Sequence, residues 1–313
     1  MKSVNIPEVL LIIGNGFDLD LGLPTKYSDF VCNSNSEWLN LLEEYQKLYT
    51  KWFRNDTVSN SLLSHILESA NKELWFDVEY EIFKYVSKYE NPSKVLIGLV
   101  REQHESFKKH FCAFLRRIAV STNVNQLSLA KNFLYRLTLS NSIVTICTFN
   151  YTDCFDLCGC KKREGIKILP IHGSLKTNRI TLGCRARHGE KENQSFDFLY
   201  KSHDIPSNIL HHYTNIASTT EIIVFGHSLN TMDASYFQSI FNTKRDEKFD
   251  RHLTIICKDN LSENCILKNM YDWSNASYMN KSWNIQFIHT NDFEKNKEKD
   301  LTIYDNLCMR LKI

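Results

Sequence analysis

Four stretches of this chain carry side chains that could do chemistry together. Gly14, Asn15, Gly16, Asp18, Gly22 and Pro24 follow directly on the apolar run Val9-Leu10-Leu11-Ile12-Ile13. Asn150-Tyr151-Thr152-Asp153 follows a second apolar run at 143–149, and His172-Gly173 follows a third at 166–171. Gly226-His227-Ser228-Leu229-Asn230 follows a fourth at 221–225, with Asp233 just beyond. Glycine lets backbone N–H groups come close to a ligand. A glycine-rich turn leaving a buried strand is therefore where an α/β sheet receives a phosphate or nucleotide. Taken singly, each stretch has a plainer reading: a tight strand-to-helix turn, an asparagine cap, a structural histidine. Strand ends of one parallel sheet share an edge, however, so residues far apart in sequence can meet there.

The elements that must deliver these residues are legible in the pattern around them. Apolar runs at 9–13, 143–149, 166–171, 221–225, 252–257 and 285–288 have the length and β-branched content of buried parallel strands. Helical spacing fills the intervals, at 125–138, 206–218, 233–241, after Asp259 and at the C-terminus. Strands alternating with helices predict an α/β, Rossmann-like parallel sheet with covered faces. Residues 35–120 change character. They are rich in Leu, Lys, Glu, Tyr and Phe at helical spacing, broken near Asn91-Pro92, and predict a large α-helical insertion after the first strand. The expected domains are 1–34 with 121–313, and 35–120. Trp75, Val78, Ile82 and Tyr85 fall on one helical face, which reads as an amphipathic helix covering the sheet. Asp77 or Glu79 reaching into the site from a helical lid is the functional alternative. The polar stretch 176–205, with Gly183, Arg185, Arg187, His188 and Gly189, predicts a mobile loop.

Composition bounds the function classes. The chain has 313 residues, 42% of them hydrophobic, enough for a substantial core. A formal net charge of +2 with both signs interspersed gives no case for coating nucleic acid or an anionic membrane. No apolar run reaches the roughly 18 residues of a membrane span, and none resembles a secretory segment. Ten cysteines without such a segment read as reduced thiols, which predicts a cytoplasmic protein.

GNGFDLDLGLPTKYSDF, TFNYTD, IHGSL and FGHSLNTMDASYF, in this order, resemble the AbiH family of bacterial phage abortive-infection proteins over essentially the whole chain. More distantly, residues 8–30 and 140–290 resemble the sirtuin-like fold, with its glycine first turn, T-x-N-x-D strand end, later His-Gly and G-x-S segment. The resemblance implies an antiphage effector that binds NAD and hydrolyses it to nicotinamide and ADP-ribose, an NADase. It also implies roles by position. Gly14, Gly16 and Gly22, with Asn15 and Pro24 in the same turn, would line the NAD phosphates and ribose. Asn150 would hold the nicotinamide ribose and the attacking water, and His172 would be the general base. Gly226, Ser228 and Asp233 would contact the adenosine half, Asp18 and Asp153 would lie near ribose hydroxyls, and Tyr151 is a further candidate for binding NAD. The chain departs from the sirtuin pattern at Asn15, where relatives have a small residue, and at Thr152, inserted before Asp153.

Cleaving an N-glycosidic bond passes through an oxocarbenium-like state, for which an orienting amide and an imidazole base are suitable groups. The only cysteine cluster, Cys154, Cys158, Cys160 and Cys184, lacks the paired CxxC spacing of a zinc site, so no metal is expected. Regulation would then come from a homo-oligomer, a phage-derived trigger or the helical insertion.

Two other classes compete. Gly226 to Asn230 nearly matches the G-x-S-x-G elbow of α/β-hydrolases, and Asp259 and His289 end the next two strands in the order such a triad requires. Against it, Asn230 stands where the elbow needs a small residue, and no HGG-type oxyanion segment precedes it. The third class is a non-catalytic nucleotide-sensing module, since binding uses the same turns as turnover.

Overall fold

The Leu-Ile run at residues 9–13 is buried on both faces, so it needs neighbours on either side and helices above and below. It has them. In the computed structural model, which describes residues 8–32, 35–52, 61–72, 77–185, 191–201, 219, 221–241, 251–274, 279, 282–291, 293 and 298–313, this run is β1 (Glu8–Ile13) of a six-stranded sheet. The other strands are β2 (Ile143–Thr148), β3 (Ile166–Pro170), β4 (Glu221–Phe225), β5 (His252–Cys257) and β6 (Asn284–His289). Every pairing is parallel and the order is β3-β2-β1-β4-β5-β6. This is the doubly wound, Rossmann-like arrangement expected from the alternation. Its order reverses between β1 and β4, whose register pairs Ile13 with Phe225. The turns after those strands therefore open at the switch point where such sheets take ligands.

The helices form where the spacing predicts them. α1 (Asn15–Asp20) follows β1 at once, α2 is a single turn (Tyr27–Phe30), and α3 (Ser36–Trp52), α4 (Leu62–Lys72), α5 (Val78–Val86) and α6 (Lys94–Ser121) fill the helical block. The break between α5 and α6 spans Asn91-Pro92, where proline disfavours helix in the residue before it. α7 (Leu129–Leu139), α8 (Cys154–Cys158), α9 (Ala234–Phe241), α10 (Asn260–Trp273) and α11 (Lys299–Leu311) complete the described set. Residues 206–218, expected as a helix, lie outside the described residues, as do Trp75, Arg187 and His188. Among the described residues no helix is long and apolar enough to cross a membrane.

The chain divides into two compact units. The first takes Met1–Leu23, Thr122–Asn178 and Pro206–Ile313, and holds the whole sheet. Its core is the central strands with Phe17, Phe133 and Phe225, whose rings meet edge-on or tilted. The second takes Pro24–Ser121 and Arg179–Ile205. Phe30, Trp38, Phe107, Phe111 and Phe114 pack into its aromatic core.

The expected mobile loop at 176–205 is a correction. Among its described residues are a β-bridge between Cys184 and Tyr200 and a 3-10 helix at Gln194–Leu199. Leu182, Cys184, Phe196, Leu199, Tyr200 and even Lys201 are buried. The polar composition concealed this because Lys201 buries its ammonium on the Glu79 carboxylate, 2.6 Å away. That pairing also places Glu79 in the interior of the second unit. Asp77 caps α5, accepting from the N–H groups of Glu79 and Tyr80.

Candidate functional site

The first turn and the end of β4 are held together through backbone. Gly14 N–H donates to the Phe225 carbonyl at 3.0 Å, and Gly16 N–H donates to the Gly226 carbonyl at 2.8 Å. The two segments are so close that a Cβ on Gly14 would stand 2.6 Å from His227 Cα, and one on Gly16 would stand 2.6 Å from Gly226 Cα. Gly226 has φ +66° and would bring a Cβ within 2.3 Å of the Phe17 nitrogen. Glycine is needed here so that two loops can close at the switch point. The amides of Gly14 and Gly16 are spent on that closure rather than turned to a ligand. Gly22 is glycine for a separate reason, a positive φ of +86° in an exposed turn. Asn15 and Pro24 are exposed, Pro24 being the first residue of the second unit.

Asp18, on α1, is buried beneath the end of β2. Asn150 Nδ2 donates to its Oδ1 at 2.8 Å and Thr152 Oγ1 donates to its Oδ2 at 2.6 Å. Burial raises the Asp18 carboxyl from its ordinary 3.8 to about 6, against the lowering effect of the Thr152 and Asn150 hydrogen bonds. An ionised carboxylate accepts and cannot donate, so it holds the amide of Asn150 by its nitrogen and turns Oδ1 the other way. Thr152 thus has a definite task as the second donor to Asp18. Tyr151 is buried, and its carbonyl accepts from Leu175 N–H.

His172 follows β3 and is buried. Its Nε2 lies 3.3 Å from Asp233 Oδ1, while His227 Nε2 lies 3.5 Å from Oδ2 of the same carboxylate. Phe149, the residue after β2, meets both imidazoles edge-to-face, with centroids 5.1 Å from His172 and 4.4 Å from His227. Asp233, expected beside the adenosine half, therefore bridges two histidines. His227 had no part in the sequence reading. The signal for it was present, a second histidine adjoining a strand-end glycine.

The remaining candidates are spread along the same edge. Asp153 caps α8, accepting from Phe155 and Asp156 N–H, and pairs with Lys176 Nζ at 2.8 Å. Burial alone would raise its carboxyl, but the Lys176 ammonium and the amide donors hold it below the ordinary value. Ser228 is exposed, and its carbonyl accepts from Asn269 Nδ2. Of the hydrolase triad, Asp259 Oδ1 takes both Ser262 N–H and Ser262 Oγ–H as the cap of α10. His289 has Nδ1 on Asp300 at 3.2 Å and Nε2 on Glu263 at 3.0 Å. Each of these groups answers a partner outside the triad.

Among the described residues no group of His, Cys, Asp and Glu side chains is arranged to hold a metal ion. The thiols of Cys154, Cys158 and Cys160 are raised by burial, Cys158 to about 12, which keeps them protonated. Around Asp233, Leu229 N–H donates to His227 Nδ1 at 2.9 Å, so in the neutral ring the proton sits on Nε2, 3.5 Å from Asp233 Oδ2, and neither nitrogen is free as a metal ligand.

A family model described as "Bacteriophage abortive infection AbiH" matches residues 10–254. No curated protein matches the chain. A solved structure concerned with "The Structural basis for Sirtuin Substrate affinity" is similar over 98% of this chain and 94% of its own, at 10% sequence identity and a TM-score of 0.29.

Proposed function

The chain belongs to the AbiH family of bacteriophage abortive infection proteins, and we propose that it acts as an effector that binds NAD and hydrolyses it to nicotinamide and ADP-ribose. The observation that carries the reading is the pairing of a fixed amide with a carboxylate-bound imidazole on one sheet edge, Asn150 on Asp18 and His172 on Asp233. These groups suit the reacting end of the substrate. The C1′–nicotinamide bond breaks with its electron pair going to the leaving nicotinamide, and a water oxygen bonds to C1′. Asn150 Oδ1 is an acceptor for a ribose hydroxyl or that water, and His172 takes the water's proton and returns it to solvent. The Asp18 carboxylate, beneath Asn150, adds negative charge near a centre that becomes positive in the oxocarbenium-like state. In this reading the glycine junction keeps the two halves of the edge together. Removal of NAD would halt metabolism in an infected cell, which fits the abortive-infection family.

The test is nicotinamide release by the purified chain, followed by chromatography, beside Asn150→Ala, His172→Ala and Ser228→Ala. Release abolished in the first two and merely weakened in the third supports the reading. Ester cleavage dependent on Ser228, without NAD turnover or binding, would replace it with the hydrolase.

A further inference from the structure

The turn after β4 is held in shape from outside, by two side chains one helical turn apart on α10. Asn269 Nδ2 donates to the Ser228 carbonyl at 2.9 Å, and Trp273 Nε1 donates to the Leu229 carbonyl at 2.8 Å. Residues four apart share a helix face, so one face of α10 meets two successive carbonyls. From within the turn, Leu229 N–H donates to His227 Nδ1 at 2.9 Å. These bonds converge on an unfavourable conformation. Leu229 has φ +49°, the left-handed region that a residue with a bulky side chain rarely adopts, and it is fully buried. Such a conformation persists only where its surroundings over-determine it, and it concentrates at functional sites. Trp273 is itself fixed, its ring packing on Phe237 and Phe241 of α9 with centroids 6.0 Å and 5.9 Å away. Ser228 remains exposed, so the clamped turn presents a residue outward at the sheet edge.

We infer that Asn269 and Trp273 are positioning residues, which clamp the turn after β4 in the shape that receives the half of NAD remote from the breaking bond. The inference rests on the reading of the chain as an NAD hydrolase and deepens it. In that reading the reacting groups, Asn150 and His172, follow β2 and β3, on one side of the switch point between β1 and β4. A dinucleotide lies across such a crevice, so its second half extends toward the turn on the other side. β2 and β4 are two places apart in the sheet, which separates their ends by roughly 10 Å, within the length of a dinucleotide. Engaged by α10, the Ser228 and Leu229 carbonyls are kept from setting their lone pairs against the phosphate and ribose oxygens of the ligand. Freed of the two donors, Leu229 relaxes out of the left-handed region and those carbonyls turn.

The experiment joins hydrogen exchange at the Leu229 amide, read by NMR without NAD, to steady-state kinetics with NAD, in Asn269→Leu, Trp273→Phe and the double variant. Trp273→Phe keeps an aromatic ring against α9 and removes the donor, and Asn269→Leu removes the other donor from a half-buried position. In the double variant Leu229 is expected to exchange about tenfold faster than in the wild type, with the amides of β4 unchanged. KM for NAD is expected to rise about tenfold with kcat within about twofold, the pattern of lost binding rather than lost chemistry. Turnover of nicotinamide mononucleotide, which lacks the remote half, is expected to change little. A folded double variant in which Leu229 exchanges at the wild-type rate would overturn the clamp. A fall in kcat at unchanged KM, or an equal loss on nicotinamide mononucleotide, would overturn its role toward the remote half. Should Trp273→Phe fail to fold, Asn269→Leu alone decides by the same readings. A wild type that binds NAD without cleaving it loses the proposed activity, and the calorimetric Kd then stands in for KM. A wild type that does not bind NAD ends the activity and the remote-half role together, whereas exchange at Leu229 still accepts or rejects the clamp.

Discussion

His172 Nε2 stands 3.3 Å from Asp233 Oδ1 although the strands that precede them, β3 and β4, are three places apart in the sheet. At about 4.8 Å between neighbouring strands, their ends lie roughly 14 Å from each other. The loops must therefore fold inward over the ends of β2 and β1, and Phe149 supplies the floor on which they meet. If that carboxylate orients the base, Asp233→Asn should fold normally and lose about 100-fold or more in nicotinamide release, the usual scale for a general base left unsupported. A KM close to the wild-type value is expected, since Asp233 is not placed to hold substrate in this account. An unchanged rate would remove Asp233 from the mechanism.

Asp18 makes a prediction about stability as well as activity. Its carboxyl is raised from 3.8 to about 6, which at about 1.4 kcal/mol per unit puts the burden of its buried charge on the order of 3 kcal/mol. A raised carboxyl favours folding fully below the unfolded value of 3.8, and that contribution is lost as pH rises through about 6. Asp18→Asn should therefore gain stability relative to wild type between pH 4 and pH 8. Asparagine can still accept from Asn150 and donate to Thr152, so the gain is not masked by lost hydrogen bonds. Thermal melts across that range check it, and a stability difference that stays constant with pH would contradict the assignment. Activity of the wild type should fall as pH drops through about 6.

The glycines separate by mechanism. Gly226→Ala combines a positive φ with a Cβ 2.3 Å from the Phe17 nitrogen, and should destabilise by roughly 3 kcal/mol or prevent folding. Gly22→Ala has the positive φ but open space, its nearest neighbour being 3.9 Å away, and should cost only about 1 kcal/mol. Gly98 sits inside α6 with nothing within 4 Å of an added Cβ, so Gly98→Ala should stabilise by up to about 1 kcal/mol. Denaturant midpoints of the three variants test the ranking.

The Lys201–Glu79 pair predicts an asymmetry. Lys201→Met takes the ammonium away from the buried Glu79 carboxylate and should destabilise by about 3–5 kcal/mol. Adding Glu79→Leu should restore most of that loss, because an apolar pair removes both charges together. Equal losses in the single and double variants would show that the pair does not carry the stability of this region.

The sheet and the four candidate stretches were legible because each depends on local pattern. An apolar run of five or six residues ending in Gly, Asn or His reads the same way before and after folding, and β1 to β6 fall on the runs that predict them. What stayed hidden depends on partners far away in the chain. Nothing near Gly14 or Gly16 shows that their amides bind the carbonyls of Phe225 and Gly226, about 210 residues on. Nothing in TFNYTD shows that Asn150 and Thr152 both donate to Asp18. Lys201 in a polar stretch looks exposed until Glu79 is found beside it. Residue types announced the chemistry, and only the folded edge paired them.

The most direct test of the account joins turnover and binding in one variant. Purified His172→Ala should bind NAD by calorimetry with an affinity near that of the wild type and release no nicotinamide, while the wild type does both. Loss of a base removes the reaction and leaves the grip on the substrate. If His172→Ala releases nicotinamide at the wild-type rate, or if the wild type binds NAD without ever cleaving it, the hydrolytic account fails, and the second outcome would identify a sensor.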